Sequence, residues 1–320
     1  MALAWLFPGQ GAQHVGMGKD VLEGSKAARA VFERADAALA GDGGVPLSKL
    51  ILEGPEAELT LTANAQPAIV TVSIAILEAL REKVGDLPKP AFAAGHSLGE
   101  YSALVAAGAL SLEDALRTVR ARGRAMQDAV PPDVGAMAAV MGVEGPRLEA
   151  LCAQVSGKDD EVVSCANFNA PGQIVIAGHA RAVAAVSELA QAEKGKVIPL
   201  KVSAPFHCAL MRPAARVVED KLAAITVAPL AFPIVANFDA VANSDPARVK
   251  ELLVRQVDGA VRWEQAMRLM RDSGVTHALE IGPGKVLAGL MKRIAKDVKV
   301  HSVCDAAALG GAPEFLAAHP

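Results

Sequence analysis

A short turn between a strand-like run and a helix-like run constrains the fold of this chain most strongly. Residues 90–95 are mostly apolar, the segment Gly95-His96-Ser97-Leu98-Gly99 follows, and a run of small residues from Glu100 to Gly108 predicts a helix. The segment fits the pattern Gly-x-Ser-x-Gly, in which two glycines allow a sharp turn that exposes the serine at the top of a sheet. The pattern therefore predicts an α/β fold and makes Ser97 a candidate nucleophile.

The chain alternates strand-like and helix-like segments on both sides of this turn, as is typical of a largely parallel sheet. The clearest predicted elements are a strand at Ala2–Phe7, helices near 27–40, 66–82 and 112–129, a strand at 277–281 and a helix at Val286–Ile294. The helix near residue 66 contains Pro67, which the first turn of a helix tolerates, and Thr62 or Asn64 could cap it.

The pattern changes after Pro131-Pro132. Residues 135–202 are predicted to form a strand, a helix, two strands, a helix and a strand, which is the order of a ferredoxin-like unit. We therefore expect a small inserted domain at 133–202, and a main domain formed by 1–132 and 203–320.

Composition excludes several classes of protein. The 320 residues carry a net charge of −3 and only 3% aromatic residues, which argues against a nucleic-acid partner. The four cysteines form no Cys-x-x-Cys pair, so we expect neither a disulfide framework nor a metal site. The N-terminus lacks the basic start of a signal peptide, and the longest apolar run is interrupted by Glu78. We therefore expect a soluble, cytoplasmic protein without a membrane partner.

A serine nucleophile needs a base, and His207 is the best placed of the seven histidines because it follows a predicted strand and opens a helix-like run. Serine hydrolases add an acid between the nucleophile and the histidine in chain order. Four aspartates in that interval are candidates, and none of them follows a strand of the main domain: Asp128, Asp133, Asp159 and Asp160. We therefore predict a serine–histidine pair oriented by a backbone carbonyl.

Other segments suggest binding groups near the nucleophile. The glycine-rich turns after Phe7 and after Ile281 lack the spacing of dinucleotide or Walker loops, so we interpret them as strand-to-helix turns. Gln10, on the first turn, could direct its backbone amide at an oxyanion. The predicted helix near residue 112 carries Arg117, Arg120, Arg122 and Arg124, one of which could turn inward to bind an anionic acyl tail.

Taken together, these motifs resemble one family along essentially the whole chain. They are FPGQGAQ, QPA at Gln66, GHSLGEYSAL, the arginine-rich helix, NFNAPGQIVIAG, APFHCALM and EIGPGKVL, in this order. The family is that of the malonyl-CoA:acyl-carrier-protein transacylases, and the acyltransferase domains of polyketide synthases are similar but less so. The resemblance implies an α/β class fold with a hydrolase-like parallel-sheet main domain and an inserted ferredoxin-like small domain.

The resemblance also implies the role of each site residue. Ser97 would be the nucleophile and His207 the base, while the backbone amides of Gln10 and Leu98 would bind the oxyanion. Arg122 would bind the free carboxylate of a malonyl group, and the backbone carbonyl of Gln256 would orient the histidine. Four further residues would line the substrate region, where the bulk of Phe206 would disfavour a 2-methyl branch: Met126, Phe206, Gln66 and Asn167.

The implied activity is transfer of a malonyl group from malonyl-CoA to the phosphopantetheine thiol of holo-acyl carrier protein, through a malonyl-serine intermediate, in fatty-acid biosynthesis. No cofactor beyond this coenzyme A thioester is expected, and the protein would be a monomer. Three alternatives remain: a serine esterase or thioesterase, an acyltransferase of a polyketide or malonate-degradation system, and a binding module without catalysis. Because carrier proteins are acidic, the basic residues around the last predicted helix are candidates for docking them: Lys285, Lys292 and Arg293.

Overall fold

The computed structural model of the chain describes residues 2–42, 44–131, 133–157, 161–202 and 204–318. The predictions that involve Pro132, Asp159, Asp160 and Ser203 fall outside these residues. Within them the strands are β1 Ala2–Phe7, β2 Phe92–Gly95, β3 Gly135–Met141, β4 Val163–Ala170, β5 Gln173–His179, β6 Lys196–Pro199, β7 Ile234–Val235, β8 Ala242–Asn243, β9 Val275–Ile281 and β10 Lys299–Val303.

The α-helices of the described residues occupy most of the remaining chain. They are α1 Lys19–Gly24, α2 Lys26–Leu39, α3 Leu47–Glu53, α4 Glu56–Thr60, α5 Thr62–Val84, α6 Gly99–Ala106, α7 Leu112–Asp128, α8 Gly145–Val155, α9 Ala180–Ala192, α10 Arg212–Ala223, α11 Pro246–Asp258, α12 Trp263–Asp272, α13 Val286–Ile294 and α14 Ala306–Ala317. Side-chain caps mark several helix starts. Ser25, for example, accepts a hydrogen bond from the amide of Ala28 before α2.

A six-stranded sheet forms the larger part of the molecule, in the order β10-β9-β1-β2-β7-β8. All neighbours are parallel except β7 and β8. Phe7 pairs with Gly95, and Leu6 pairs with Glu280, so the turns after β1, β2 and β9 leave the same edge of the sheet. The expectation of a parallel-sheet core is confirmed.

Both faces of this sheet are buried, and β1 shows how. Leu3, Trp5 and Phe7 belong to the core shared with α2, α5, α6 and α7. The alternate residues Ala4 and Leu6 belong to the core shared with α12 and α13. Because side chains alternate across a strand, a run that is apolar at every position suits a sheet covered on both sides.

The central helix α5 begins four residues before the predicted start. Thr62 and Asn64 therefore lie inside the helix, not at its cap, and Pro67 lies beyond the first turn. Pro67 removes a single amide donor, which a buried helix of 23 residues tolerates. The helix is long and apolar enough to cross a membrane, but 83% of its most apolar 18-residue window is buried inside the protein. The core of the fold accounts for its apolar character.

A separate four-stranded antiparallel sheet has the order β4-β5-β3-β6. Helices α8 and α9 pack on it through an apolar core of their own. The strand and helix order predicted for residues 135–202 is present, although the last strand ends at Pro199, short of Val202. The edge strand β4 is joined to the main body because the amide of Phe168 donates to the carbonyl of Val261, at 2.9 Å, and the amide of Val261 donates to that of Ala166.

Candidate active site

Ser97 lies in the sharp turn between β2 and α6. Its φ of +52° is in the left-handed region, which non-glycine residues seldom occupy away from functional turns. Glycine is required on either side because the backbone is crowded. A Cβ on Gly95 would lie 1.9 Å from the carbonyl of Gly99, and a Cβ on Gly99 would lie 2.4 Å from the carbonyl oxygen of Phe7. The turn therefore holds the serine hydroxyl at the C-terminal edge of the sheet.

His207 faces this serine and completes the pair predicted from the sequence. Its Nε2 lies 2.7 Å from Ser97 Oγ, and its Nδ1 lies 2.8 Å from the backbone carbonyl oxygen of Gln256. Since a carbonyl only accepts, Nδ1 carries the proton and Nε2 is free to accept one from the serine hydroxyl. The partner of Nδ1 is a carbonyl of α11 and not a carboxylate.

Burial, and after it the positive charge of Arg122, lower the pKa of His207 to about 3. The imidazole is therefore neutral at neutral pH, which is the form that can act as a base.

Arg122 is the arginine of α7 that turns inward. Its side chain is only 1% exposed, and desolvation lowers its pKa. One terminal nitrogen donates to Gln66 Oε1 at 2.7 Å. The other donates to Ser97 Oγ at 3.0 Å and to Gln256 Oε1 at 2.8 Å. A buried cation thus lies within hydrogen-bonding distance of the candidate nucleophile.

The other three arginines of α7 lie away from Ser97. Arg120 and Arg124 form ion pairs with Asp42, and Arg117 pairs with Asp114 on its own helix. The choice among the four arginines, which residue patterns left open, is decided by this geometry.

Two buried polar residues that were not predicted support the turn around Ser97. Asn237 Oδ1 accepts from the amide of Ser97 at 2.7 Å, and its Nδ2 donates to the carbonyl of Gly95. Glu100 is 2% exposed and accepts from the amide of Asn237 and from Gln256 Nε2. Burial raises the pKa of Glu100 to about 7. The position of Glu100, one helical turn after Ser97 in the motif, could have pointed to it, whereas no sequence motif contains Asn237.

The residues predicted to bind the oxyanion lie beside Ser97. Leu98 follows it directly and precedes α6, where the first amide groups of a helix have no acceptor within the helix. Gln10 is in the turn after β1, which packs closely on the serine turn, since a Cβ on Gly9 would lie 2.6 Å from the carbonyl oxygen of His96. The amide of Ser97 itself is already bound to Asn237. The oxyanion role of Leu98 and Gln10 stays a prediction.

A cavity of about 370 Å³ opens above Ser97, between the parallel sheet and the small sheet. Gln66 donates to Met126 Sδ at 3.7 Å, and His96 Nε2 lies 2.9 Å from Asn169 Oδ1 of β4. The cavity is lined by all of the residues predicted for the substrate region, together with the nucleophile, the base and the buried arginine: Gln10, Gln66, Ser97, Arg122, Met126, Asn167, Phe206 and His207. Within the described ranges, no group of three His, Cys, Asp or Glu side chains could hold a metal ion.

Comparison with known proteins agrees with this geometry. The model of the acyl transferase domain matches residues 4–311. A malonyl CoA-acyl carrier protein transacylase of Bacillus subtilis is 47% identical over 95% of this chain and 93% of its own length. The protein of the same name from Escherichia coli is 41% identical over 98% of this chain and 99% of its own length.

Solved structures extend the comparison to three dimensions. An acyl-carrier-protein S-malonyltransferase of Bartonella henselae, 44% identical, superposes with a TM-score of 0.93 over 99% of this chain and 100% of that one. A malonyl-transacylase solved in complex with a type II PKS acyl-carrier protein is 39% identical, with a TM-score of 0.93 over 98% of this chain and 100% of that one. The chain is therefore a member of the acyl transferase family and is similar to its malonyl CoA-acyl carrier protein transacylases along nearly its whole length.

Proposed function

We propose that this acyltransferase moves the malonyl group of malonyl-CoA to the phosphopantetheine thiol of holo-acyl carrier protein, for fatty-acid synthesis. The observation that carries the proposal is the position of Arg122, whose buried guanidinium lies 3.0 Å from Ser97 Oγ. A malonyl group places its free carboxylate one methylene from the reacting carbonyl, within reach of this cation. A planar guanidinium binds a carboxylate with two parallel hydrogen bonds.

In the first half of the proposed reaction, His207 takes the proton of Ser97 as Oγ attacks the thioester carbonyl. The amides of Leu98 and Gln10 donate to the oxyanion that forms. Removing one such donor costs about 100- to 1000-fold in rate in other enzymes. The carbon–sulfur bond then breaks, His207 protonates the departing coenzyme A thiolate, and a malonyl-serine ester remains.

In the second half, the phosphopantetheine thiol of the carrier protein enters the cavity and gives its proton to His207. Its sulfur attacks the ester carbonyl, the carbon–oxygen bond to Ser97 breaks, and Ser97 recovers the proton from His207. The products are malonyl-carrier protein and free enzyme. Support for this acceptor comes from the similar transacylase that was solved with an acyl-carrier protein.

We propose that the two sheets belong to two domains of known architecture. We interpret the β4-β5-β3-β6 order as ferredoxin-like, because the first strand of the unit lies between the third and the fourth. We interpret the main body as hydrolase-like, because Ser97 lies on a strand–turn–helix unit at the edge of a mostly parallel sheet. The proposed division is 133–202 for the inserted domain and 1–132 with 203–320 for the main domain.

We also propose the setting in which the enzyme works. Malonyl-CoA and holo-acyl carrier protein are its substrates, it needs no further cofactor, and it acts as a soluble monomer in the cytoplasm without nucleic-acid or membrane partners. The bacterial relatives named above and the burial of α5 support a soluble protein.

Intact mass spectrometry tests the proposed function directly. We expect the protein mixed with malonyl-CoA to gain the mass of one malonyl group, and to lose it when holo-acyl carrier protein is added. Ser97→Ala should remain unmodified. Apo-carrier protein, which lacks the thiol, is the matched control and should leave the adduct in place.

Two outcomes would contradict the proposal. An adduct that disappears at the same rate without a carrier would make the protein a serine hydrolase. No adduct on a folded protein would favour a binding module without catalysis.

A polyketide system is a second candidate, because the solved complex that resembles this chain contains a type II PKS carrier. Measuring kcat/KM for both kinds of holo-carrier separates the two. A fatty-acid role predicts the higher value with the fatty-acid carrier, and a higher value with the polyketide carrier would reverse the assignment.

A further inference from the structure

A buried carboxylate beneath the nucleophile has no part in the acyl transfer described above. Glu100 lies in the first turn of α6 and is 2% exposed. Its Oε2 accepts from the amide of Asn237 at 3.1 Å and from Gln256 Nε2 at 2.8 Å. Burying such a group is unfavourable unless its hydrogen bonds are satisfied, so its position demands an explanation.

Gln256 connects this carboxylate to the rest of the site. Its Nε2 also donates to the backbone carbonyl of Ser97 at 2.8 Å, while its Oε1 accepts from Arg122 at 2.8 Å. Its backbone carbonyl accepts from His207. The side chain of Gln256 is fully buried. One residue of α11 therefore touches the base through its backbone and both Glu100 and Arg122 through its side chain.

The chemistry of the neighbours permits a single orientation of the Gln256 amide. A guanidinium has only donors, so it must face the amide oxygen. Glu100 Oε2 acts as an acceptor, so it must face the amide nitrogen. A half-turn of the amide would place donors against Arg122 and an acceptor against Glu100, and would break both bonds. Glu100 and the backbone carbonyl of Ser97, which both accept from Nε2, therefore select the orientation in which Oε1 points at the guanidinium.

We propose that Glu100 is a positioning residue for recognition of the acyl carboxylate: through the side-chain amide of Gln256, it holds the Arg122 guanidinium beside Ser97. This inference rests on the proposed function, because it concerns the selectivity of that same site for an anionic acyl group. Glu100 acts through Gln256, whose side-chain amide contacts both the carboxylate and the guanidinium.

An acceptor oxygen, and not a full negative charge, is what this arrangement needs. The pKa of Glu100 is raised by burial to about 7, so the group is partly protonated near neutral pH while Oε2 can still accept. A glutamine at this position keeps an acceptor oxygen of the same reach. An alanine removes this oxygen and leaves Nε2 held by the Ser97 carbonyl alone, which weakens the hold on the amide and on the guanidinium that it contacts.

The test compares Glu100→Ala and Glu100→Gln with the parent enzyme. The readout is the ratio of kcat/KM for malonyl-CoA to kcat/KM for acetyl-CoA, with holo-acyl carrier protein as acceptor. We expect Glu100→Ala to lower this ratio about 10- to 100-fold, the usual effect of losing a hydrogen bond to a charged group. Glu100→Gln should keep it within about threefold of the parent.

The same substitution made in an Arg122→Ala protein shows whether Glu100 changes the ratio through Arg122. In Arg122→Ala, the guanidinium that Glu100 is proposed to position is gone. Adding Glu100→Ala should therefore change the remaining ratio by less than about threefold. A further large fall in this background would mean that Glu100 acts by another route.

Other results would also overturn the inference. An equal loss with both thioesters in Glu100→Ala would show a structural role only, and a ratio in Glu100→Gln as low as in Glu100→Ala would contradict the need for an acceptor. If circular dichroism shows that Glu100→Ala is unfolded, Gln256→Leu replaces it, because that variant keeps the backbone carbonyl and removes the amide. It should lower the ratio to a similar extent, and an unchanged ratio would overturn the inference.

The proposed function and this inference fail in different ways. If the parent enzyme forms no malonyl adduct, the proposed function is contradicted. If the parent enzyme prefers malonyl-CoA and Glu100→Ala keeps the same preference, only the proposed role of Glu100 is contradicted.

Discussion

At the scale of single residues, Arg122 is a buried cation that lines the cavity. The acceptors of its terminal nitrogens are all neutral groups, namely two side-chain amides and the hydroxyl of Ser97. Its Nε has no hydrogen-bond partner within the part of the chain that the structure describes. Burial of an ion is costly unless it is paired, and a substrate carboxylate would supply the charged partner that these contacts lack.

Replacing Arg122 with alanine should separate malonyl transfer from acetyl transfer. We expect kcat/KM for malonyl-CoA to fall about 100-fold, because a charge-assisted pair is lost, while kcat/KM for acetyl-CoA changes less than about threefold. Arg124→Ala is the matched control, since Arg124 is on the same helix and half exposed. Equal losses with both thioesters in Arg122→Ala would contradict carboxylate binding by this residue.

The low pKa of His207 predicts the pH dependence of the reaction. A base works only in its unprotonated form, and with a pKa of about 3 that form persists far below the ordinary histidine value of about 6.5. Activity should therefore not decline with a histidine-like pKa as pH falls. Because Glu100 has a pKa of about 7, Glu100→Gln is the cleaner background.

The measurement is kcat/KM for malonyl transfer by Glu100→Gln between about pH 5 and pH 8, the range in which an ordinary histidine titrates. We expect a flat profile at the acidic side. A fall in kcat/KM toward acidic pH with an apparent pKa near 6.5 would mean that His207 is far less desolvated than its environment in the structure implies.

At the scale of secondary-structure elements, the serine turn depends on close packing of β1, β2 and α6. Gly95 ends β2, and a Cβ there would meet the backbone of Gly99 at 1.9 Å, a distance that real Cβ atoms do not reach. Backbone atoms cannot turn aside as a flexible side chain can. The glycines of the Gly-x-Ser-x-Gly pattern are therefore required by the approach of three backbones as well as by the turn.

This packing predicts opposite effects of two glycine-to-alanine changes. Gly95→Ala should lower the free energy of unfolding by about 3 kcal/mol or more, because the elements must move apart. Gly289→Ala, in helix α13 with no atom near its added Cβ, should raise it by about 0.5–1 kcal/mol. Urea unfolding of both variants provides the measurement. A Gly95→Ala protein as stable as the parent would contradict the packing argument.

At the scale of the whole molecule, the active-site cavity lies where the two sheets meet, and α13 runs from the same region. The turn before α13 packs on the turn after β1, since a Cβ on Gly284 would lie 3.6 Å from Ala12 Cβ. Lys285 and Lys292 are exposed. Arg293 differs from them because it donates to Gln173 and to the carbonyl of Pro171, so it joins α13 to the small sheet. Of the three basic residues proposed to dock the carrier protein, Lys285 and Lys292 are therefore better choices for substitution than Arg293.

Reversing the charge of Lys285 should weaken use of the carrier protein and spare the first half-reaction. We expect Lys285→Glu to raise KM for holo-acyl carrier protein several-fold at low salt, and less at high salt, while KM for malonyl-CoA stays constant. Lys83→Glu is the control, because Lys83 is exposed at the far end of α5, about 25 Å along the helix from Gln66. An equal effect of both variants would contradict docking at α13.

Several elements could be predicted from the sequence because their signals are local. Strand β1 and helix α13 have the predicted bounds, since an apolar run or a helical period ends at residues adjacent in the chain. The two-residue strands β7 and β8 were not predicted, because they are too short to show a period. The pairing of Ser97 with His207 was also predicted, from a motif and a histidine that follows a strand.

The sequence by itself determined the α/β class, the order of the elements in residues 135–202 and the chemistry available near Ser97, because periodicity and turn residues act between neighbours in the chain. Residue patterns alone left open which of the four arginines faces the nucleophile, and only the tertiary structure shows how the side chains of Glu100, Gln256 and Asn237 support it. These contacts join residues that are far apart in sequence: 56 positions separate Arg122 from Gln66, and 159 separate Gln256 from Ser97. Such partners are chosen by packing and by the need to satisfy every buried polar group, which are properties of the folded chain.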